Sequence, residues 1–471
     1  MQRRTPNFNP SEHMPLLEDA FLTRREMLCR SGMGMGAMSL AMLLGSTMVA
    51  SPASADVASP LAAKDPPLPA KAKHVIHIFA GGGPSHVDTW DPKPALSQYA
   101  DKVLPGMEGL SYPSPFKFTK MGQSGVEVSE LFTKLGQHID DMCIIRSMYT
   151  DVPAHEPASR FMNTGSLQLP KPSVGSWVVY GLGTENQNMP GFITLGSKTE
   201  YRQASFLPSL YQGVNVNYSP NMPLNQVLLN IHNQFTSPEK QREQLDLARK
   251  LNTLYSEKLH KEEQLEARIE SFEMAFRMQT EATDAFDIRK ESQESREMYG
   301  NSDMGSKLLI ARRLVERGVR FVQVYDGGWD HHSNLEQNLK KKCGGLDQAA
   351  AALIGDLKQR GLLEHTLIVW GGEFGRTVTR DRGGTANPGR DHNGRGFCTW
   401  LAGGGVKGGM AHGATDEFGA RAAENRVHVH DLHATMLALL GFDHKKLTYR
   451  YNGRDFRLTD NFGNVATDII A

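Results

Sequence analysis

Three short stretches gather the side chains that bind metal ions: Asp326-Gly327-Gly328-Trp329-Asp330-His331-His332, Gly371-Gly372-Glu373-Phe374-Gly375-Arg376 and Gly389-Arg390-Asp391-His392-Asn393-Gly394. In an extended segment, residues i and i+2 point the same way. Asp330 and His332 can therefore face one site while His331 faces the other side. Adding Glu373 and His392 gives two carboxylates and two imidazoles. That mixture suits Zn, Mn or Fe better than Ca or Mg, whose sites prefer oxygen ligands. Any one stretch is equally well explained as polar surface loop and helix caps. The three together predict a divalent metal ion held by Asp330, His332, Glu373 and His392.

The elements around these stretches are strands and helices in alternation. Short apolar runs at Val75 to Phe79, Met142 to Arg146, Phe192 to Leu195, Arg320 to Tyr325, Thr366 to Trp370 and Phe397 to Leu401 read as buried strands. Helical patterns lie between several of them, at Lys307 to Glu316 closed by Gly318 and at Leu346 to Arg360 closed by Gly361. This alternation predicts an α/β fold, doubly wound, with a mostly parallel sheet covered by helices on both faces. In such sheets ligands collect at the carboxyl ends of the strands, where the first two stretches fall. From Leu224 to about Tyr299 the composition changes to Gln, Glu, Lys and Arg, with Leu247, Leu251, Leu254 and Leu259 at three- and four-residue spacing. A helical insertion over 224–300 is expected, dividing the α/β domain into 74–223 and 301–471.

Four stretches resemble the alkaline phosphatase and sulfatase superfamily, most closely an exported bacterial sulfatase-like family without an assigned function. His155-Glu156-Pro157 through Asn163-Thr164-Gly165 is similar to the sulfatase nucleophile motif. Trp370 to Gly375 is similar to a strand-end ligand motif. Asp391-His392 followed by Phe397 to Gly409 is similar to the last histidine ligand and its strand, and Asp431 to Leu437 with Gly441 to a following helix. The resemblance implies an alkaline-phosphatase-like fold and hydrolysis of anionic esters, sulfate before phosphate, on small molecules or polysaccharides. It places His155 at the nucleophile position. A histidine there is open to four roles: nucleophile, general base, metal ligand, or a structural one in which it only bonds the loop backbone. Arg160 and Arg376 are the candidates for gripping a sulfate or phosphate bidentately. The first strand departs from the pattern by ending in Gly81-Gly82-Gly83 where an aspartate ligand is usual, so Ser85, His86 and Asp88 are candidates to compensate, or the glycines form an N–H cradle for an anion. His430, His433 and Asp431 are expected to hold structure. The alternative to an enzyme is a sulfatase-like protein that binds metal or glycan without turnover.

The amino terminus resembles a twin-arginine signal peptide over residues 1–55, with Arg24-Arg25 ahead of an uncharged stretch from Ser31 to Ala50 and small residues at Ala53-Ser54-Ala55. Cleavage before Asp56 and export through the twin-arginine machinery are expected, leaving a periplasmic or secreted protein with a linker at 56–73. A retained anchor is the alternative reading of the same segment. The chain carries 52 basic and 52 acidic residues, which gives no reason to expect nucleic acid or anionic lipid as a partner. Only Cys143, Cys343 and Cys398 follow the leader, too few for a disulfide framework, so the fold must rest on its core.

Overall fold

Unbroken apolar runs form strands that are covered on both sides, and the computed structural model shows this at the centre of the sheet. It describes residues 60–471 apart from 169, 197–200, 221, 228–235, 257–268, 270–271, 274–275, 278–283 and 382–386. The twin-arginine segment lies outside the described residues. Among the described residues nine strands make the main sheet: β1 (His74–Phe79), β2 (Met142–Tyr149), β3 (Phe192–Leu195), β4 (Val214–Val216), β5 (Phe321–Tyr325), β6 (Thr366–Gly371), β7 (Phe397–Ala402), β8 (Met410–His412) and β9 (Val427–His428). Their order is β8-β2-β7-β6-β1-β5-β3-β4, with β9 also on β2. Strand β7 is antiparallel to β2 and β6, and all the other pairs are parallel. Every residue of β1, β6 and β7 is buried, as a sheet packed on both faces requires. The fold is therefore α/β with a mostly parallel sheet.

Helices α1 (His155–Thr164), α2 (Val174–Leu182), α3 (Asp303–Glu316), α4 (Leu335–Gln359) and α5 (Val429–Leu439) supply much of the covering layers. Helix α3 starts where the Ser302 hydroxyl accepts the Gly305 N–H at 2.9 Å, a serine N-cap. Both α2 and α3 pack on β5, and α4 packs on α3. Helix α4 begins eleven residues before the expected Leu346. Gly344-Gly345 within it masks the pattern, since glycine is a poor helix former. Within 224–300 the structure describes helix Pro238–Ser256, which carries Leu247, Leu251 and Leu254; Leu259 lies outside the described residues. No helix among the described residues is long and apolar enough to cross a membrane. Cys143, Cys343 and Cys398 are buried and unpaired.

The register sets the site. Phe79, the last residue of β1, stands opposite Tyr325 at the end of β5 and Gly371 at the end of β6. The loops leaving these three central strands therefore start from one edge. Helix α1 reaches the same region by the turn after β2. It is held from below by two bonds: His433 on α5 reaches the Met162 carbonyl at 2.8 Å, and the Gln323 amide on β5 donates to Asn163.

Candidate metal centre

Side-chain alternation along the extended loop after β5 sends Asp330 and His332 to one place and His331 to another. His331 is buried, and burial pushes its pKa down to about 4. His392 joins Asp330 and His332 from a two-stranded ribbon in which it pairs with Arg376. The fourth member is His155, at the first turn of α1. Ligand atoms of His155, Asp330, His332 and His392 all lie within 4.8 Å of one another. His155 Nε2 is 3.2 Å from Asp330 Oδ2, His332 Nε2 is 2.9 Å and His392 Nε2 3.5 Å from Asp330 Oδ1, and the Nε2 atoms of His332 and His392 are 3.0 Å apart.

The orientation of each ring is fixed from behind. His155 Nδ1 meets Glu373 Oε1 at 2.6 Å, His332 Nδ1 meets Asp381 Oδ2 at 2.6 Å, and His392 Nδ1 meets the Pro153 carbonyl at 3.0 Å. A carboxylate or carbonyl oxygen only accepts, so each Nδ1 carries a hydrogen and donates it. In the neutral rings every Nε2 is then a lone pair pointing inward. Lone pairs 3.0 Å apart repel unless a proton or a metal ion lies among them. His155 Nε2 is buried without a hydrogen-bond partner. A tetrahedral zinc with bonds of about 2.0–2.1 Å separates its ligand atoms by roughly 3.3 Å, close to the spacings found here. The residues present fit a divalent ion.

The charges around the cluster are set by these contacts. The hydrogen bond that His155 donates to Glu373 raises the pKa of His155 above the ordinary histidine value, against the opposing effect of burial. Burial works to raise that of Asp330, but the bond and charge of Arg376, helped by His155 and His332, bring it to about 2. Burial, then the nearby Arg376 charge, lowers that of His392.

Three sequence expectations change. Glu373 is not grouped with the cluster: its carboxylate, 1% exposed, sits behind His155 and accepts the Gly82 N–H at 3.0 and 3.2 Å. Of the glycine loop one N–H, that of Gly82, meets an anion, and that anion is the protein's own Glu373. Gly82 has φ +116, and a Cβ there would lie 2.6 Å from the Asp330 nitrogen, so the close approach requires glycine. Arg160 turns away from the cluster, five residues along α1 from His155, and binds Glu156 at 2.9 Å and the Leu167 carbonyl at 3.1 Å. Arg376 is at the cluster but is already engaged. It donates to Gly83 O at 2.9 Å, Arg390 O at 3.1 Å, Gly82 O and Asp330, and its remaining Nη1 hydrogen faces His332 Nε2 at 3.5 Å. It has at most that one hydrogen for a substrate, not a bidentate grip.

The residues near Gly83 do not compensate for a missing ligand. Asp88 forms a fully buried pair with Arg390, at 2.7 Å, and accepts the Ser85 hydroxyl; His86 binds the Gly419 carbonyl at 2.7 Å. Phe374 packs its ring 4.8 Å from both His155 and His392. Asp431 caps α5 by accepting the His428 N–H at 2.8 Å, while burial lowers the pKa of His430 to about 4 and of His433 to about 3. Asp381 and the Pro153 carbonyl were not anticipated. Pro153 lies two residues before His155, a proximity that offered a clue; nothing in the spacing marks Asp381.

His332→Ala is therefore expected to lower bound metal far more than His331→Ala. Elemental analysis of both purified variants checks this, and equal losses would remove His332 from the centre.

The fold and this cluster define an α/β protein with a three-histidine, one-aspartate centre at the carboxyl edge of its sheet. Residues 72–470 match the family described as Protein of unknown function (DUF1501), and the chain belongs to that family. No curated protein matches the chain. Among solved structures, the PsFucS1 sulfatase from Pseudoalteromonas sp. is similar at 14% identity over 79% of this chain and 68% of that one, with TM-score 0.36. A protein in the alkaline phosphatase superfamily from Vibrio parahaemolyticus is similar at 10% identity over 82% and 71%, TM-score 0.35. The C-terminal periplasmic domain of EcEptC from Escherichia coli, in complex with Zn, is similar at 10% identity over 80% and 86%, TM-score 0.34.

Proposed function

We propose that the chain is an exported, metal-dependent hydrolase of anionic esters, sulfate before phosphate, with its ion held by His155, Asp330, His332 and His392. The observation that carries the metal is the set of three imidazoles, each donating outward through Nδ1 and each turning Nε2 toward Asp330. Three nitrogens and one carboxylate favour Zn, Mn or Fe over Ca or Mg. The ester class rests on the order of the four motif stretches, and export on Arg24-Arg25. When bound, a divalent ion supplies Lewis acidity to a nonbridging oxygen and makes a water more acidic. With His155 among the ligands, water is the nucleophile this reading requires, and Thr164 Oγ1 on the same helix already donates to the Arg160 carbonyl at 2.8 Å. Glu373, Asp381 and Pro153 orient the three rings. The free Nη1 hydrogen of Arg376 faces the cluster and can meet an oxygen of the ester.

A binding protein that takes metal or glycan without turnover is the second reading, favoured by the engagement of Arg376 within the protein. Metal analysis of the mature protein, with a screen of aryl sulfates, phosphodiesters and phosphomonoesters, separates the two. Metal with turnover is the expected result. Metal without turnover on any ester supports the second reading, and absence of metal refutes the hydrolase and leaves only the glycan-binding form of the second.

A further inference from the structure

His332 is the most exposed of the three histidines, its side chain 40% exposed against 32% for His155 and 23% for His392, and one contact fixes which of its nitrogens faces the cluster. We propose that Asp381 is the positioning residue that makes His332 a ligand, by fixing the tautomer and angle of its ring. This rests on the metal centre proposed above. The carboxylate accepts from Nδ1 at 2.6 Å, at the short limit of the about 2.7–2.9 Å usual for charge-assisted N–H···O bonds. An acceptor at Nδ1 leaves the Nε2 lone pair for an ion and makes the ring more basic toward it. Asp381 is itself held in place. Its backbone N–H donates to the Gly389 carbonyl at 3.0 Å, and the Asn334 N–H donates to the Asn387 carbonyl at 3.1 Å. The neighbouring Arg380 pairs with Asp101 at 2.5 Å. This arrangement parallels Glu373 behind His155, so two of the three histidines carry a carboxylate partner.

A different reading of the same atoms is a separate cation site, because His332, Asp381 and the exposed Asp391 also lie close together. Cobalt(II) titration followed by visible absorption distinguishes the two, on the mature wild type, Asp381→Ala, Asp381→Asn and Asp391→Ala. Asp381→Ala is expected to weaken cobalt binding by about 10–100-fold, the usual effect of losing such a partner, and to shift the cobalt bands. Asp381→Asn keeps an acceptor oxygen and is expected to recover part of both. It also carries the comparison if the alanine variant fails to fold. Asp391→Ala is expected to change affinity by less than about threefold, since the His332 bond remains. A wild-type cobalt spectrum and affinity in Asp381→Ala overturns the proposal and leaves the metal centre standing. So does a lowered melting temperature of the metal-free variant with unchanged cobalt bands, the mark of a purely structural role. An Asp391→Ala loss equal to that of Asp381→Ala assigns the acid pair to a separate site. A wild type that takes up no cobalt refutes the centre itself.

Discussion

His155→Ala is expected to abolish stoichiometric metal binding, lowering affinity by more than the roughly 10–100-fold that the loss of an outer partner causes. The reason is geometric. His155 Nε2 is 3.2 Å from Asp330 while Nδ1 is bound to Glu373, so the ring is held with its inward nitrogen among the other donors. Turnover then falls because the ion is lost, and cannot be restored at ordinary metal concentrations. Removing the ring also leaves the buried Glu373 carboxylate with only the Gly82 N–H, which is expected to lower stability by about 1–3 kcal/mol. Bound metal, turnover and melting temperature measured on this one variant separate the roles of the residue. Normal metal with turnover reduced by about a hundredfold or more would make His155 a general base or nucleophile. Normal metal and normal turnover would remove it from the mechanism.

How far the sequence reaches depends on the range of the interactions involved. The strands at the sheet centre are legible because their burial is written into unbroken apolar runs: Phe192–Leu195 is observed at its expected bounds, and Thr366 to Trp370 extends by one residue. Strands β4, β8 and β9 are short edge or peripheral elements with mixed composition, and local pattern does not reveal them. Asp330 and His332 are brought together by alternation within one loop, a local rule. Glu373 follows a strand end just as Asp330 does, yet it turns behind His155 because the Gly82 N–H captures its carboxylate. That contact spans most of the chain. Asp381 is hidden for a related reason, since its contact with His332 joins residues 49 apart in the chain.

The second large effect is expected at Arg376, where replacement by methionine should destabilise the metal-free protein by about 1–3 kcal/mol, the cost of leaving buried acceptors without a donor, Asp330 being 42% exposed and able to turn to water. The guanidinium is 1% exposed and ties together three segments: the carbonyls of Gly82 and Gly83 after β1, the Arg390 carbonyl, and Asp330 after β5. Without it these oxygens lose their donors in a place water reaches poorly, and Asp330 loses the cation that holds its pKa near 2. Arg376→Lys should recover little, because an ammonium is a point charge with three hydrogens and cannot serve oxygens spread around a planar fork. Urea unfolding in the presence of a chelator measures the effect apart from metal binding. Asp330→Asn in the Arg376→Met background should cost less than the two single losses combined, since the pair is removed together. A loss below about 1 kcal/mol for Arg376→Met would place the residue with ordinary surface ion pairs and free its guanidinium for the anion-gripping role that its present contacts oppose.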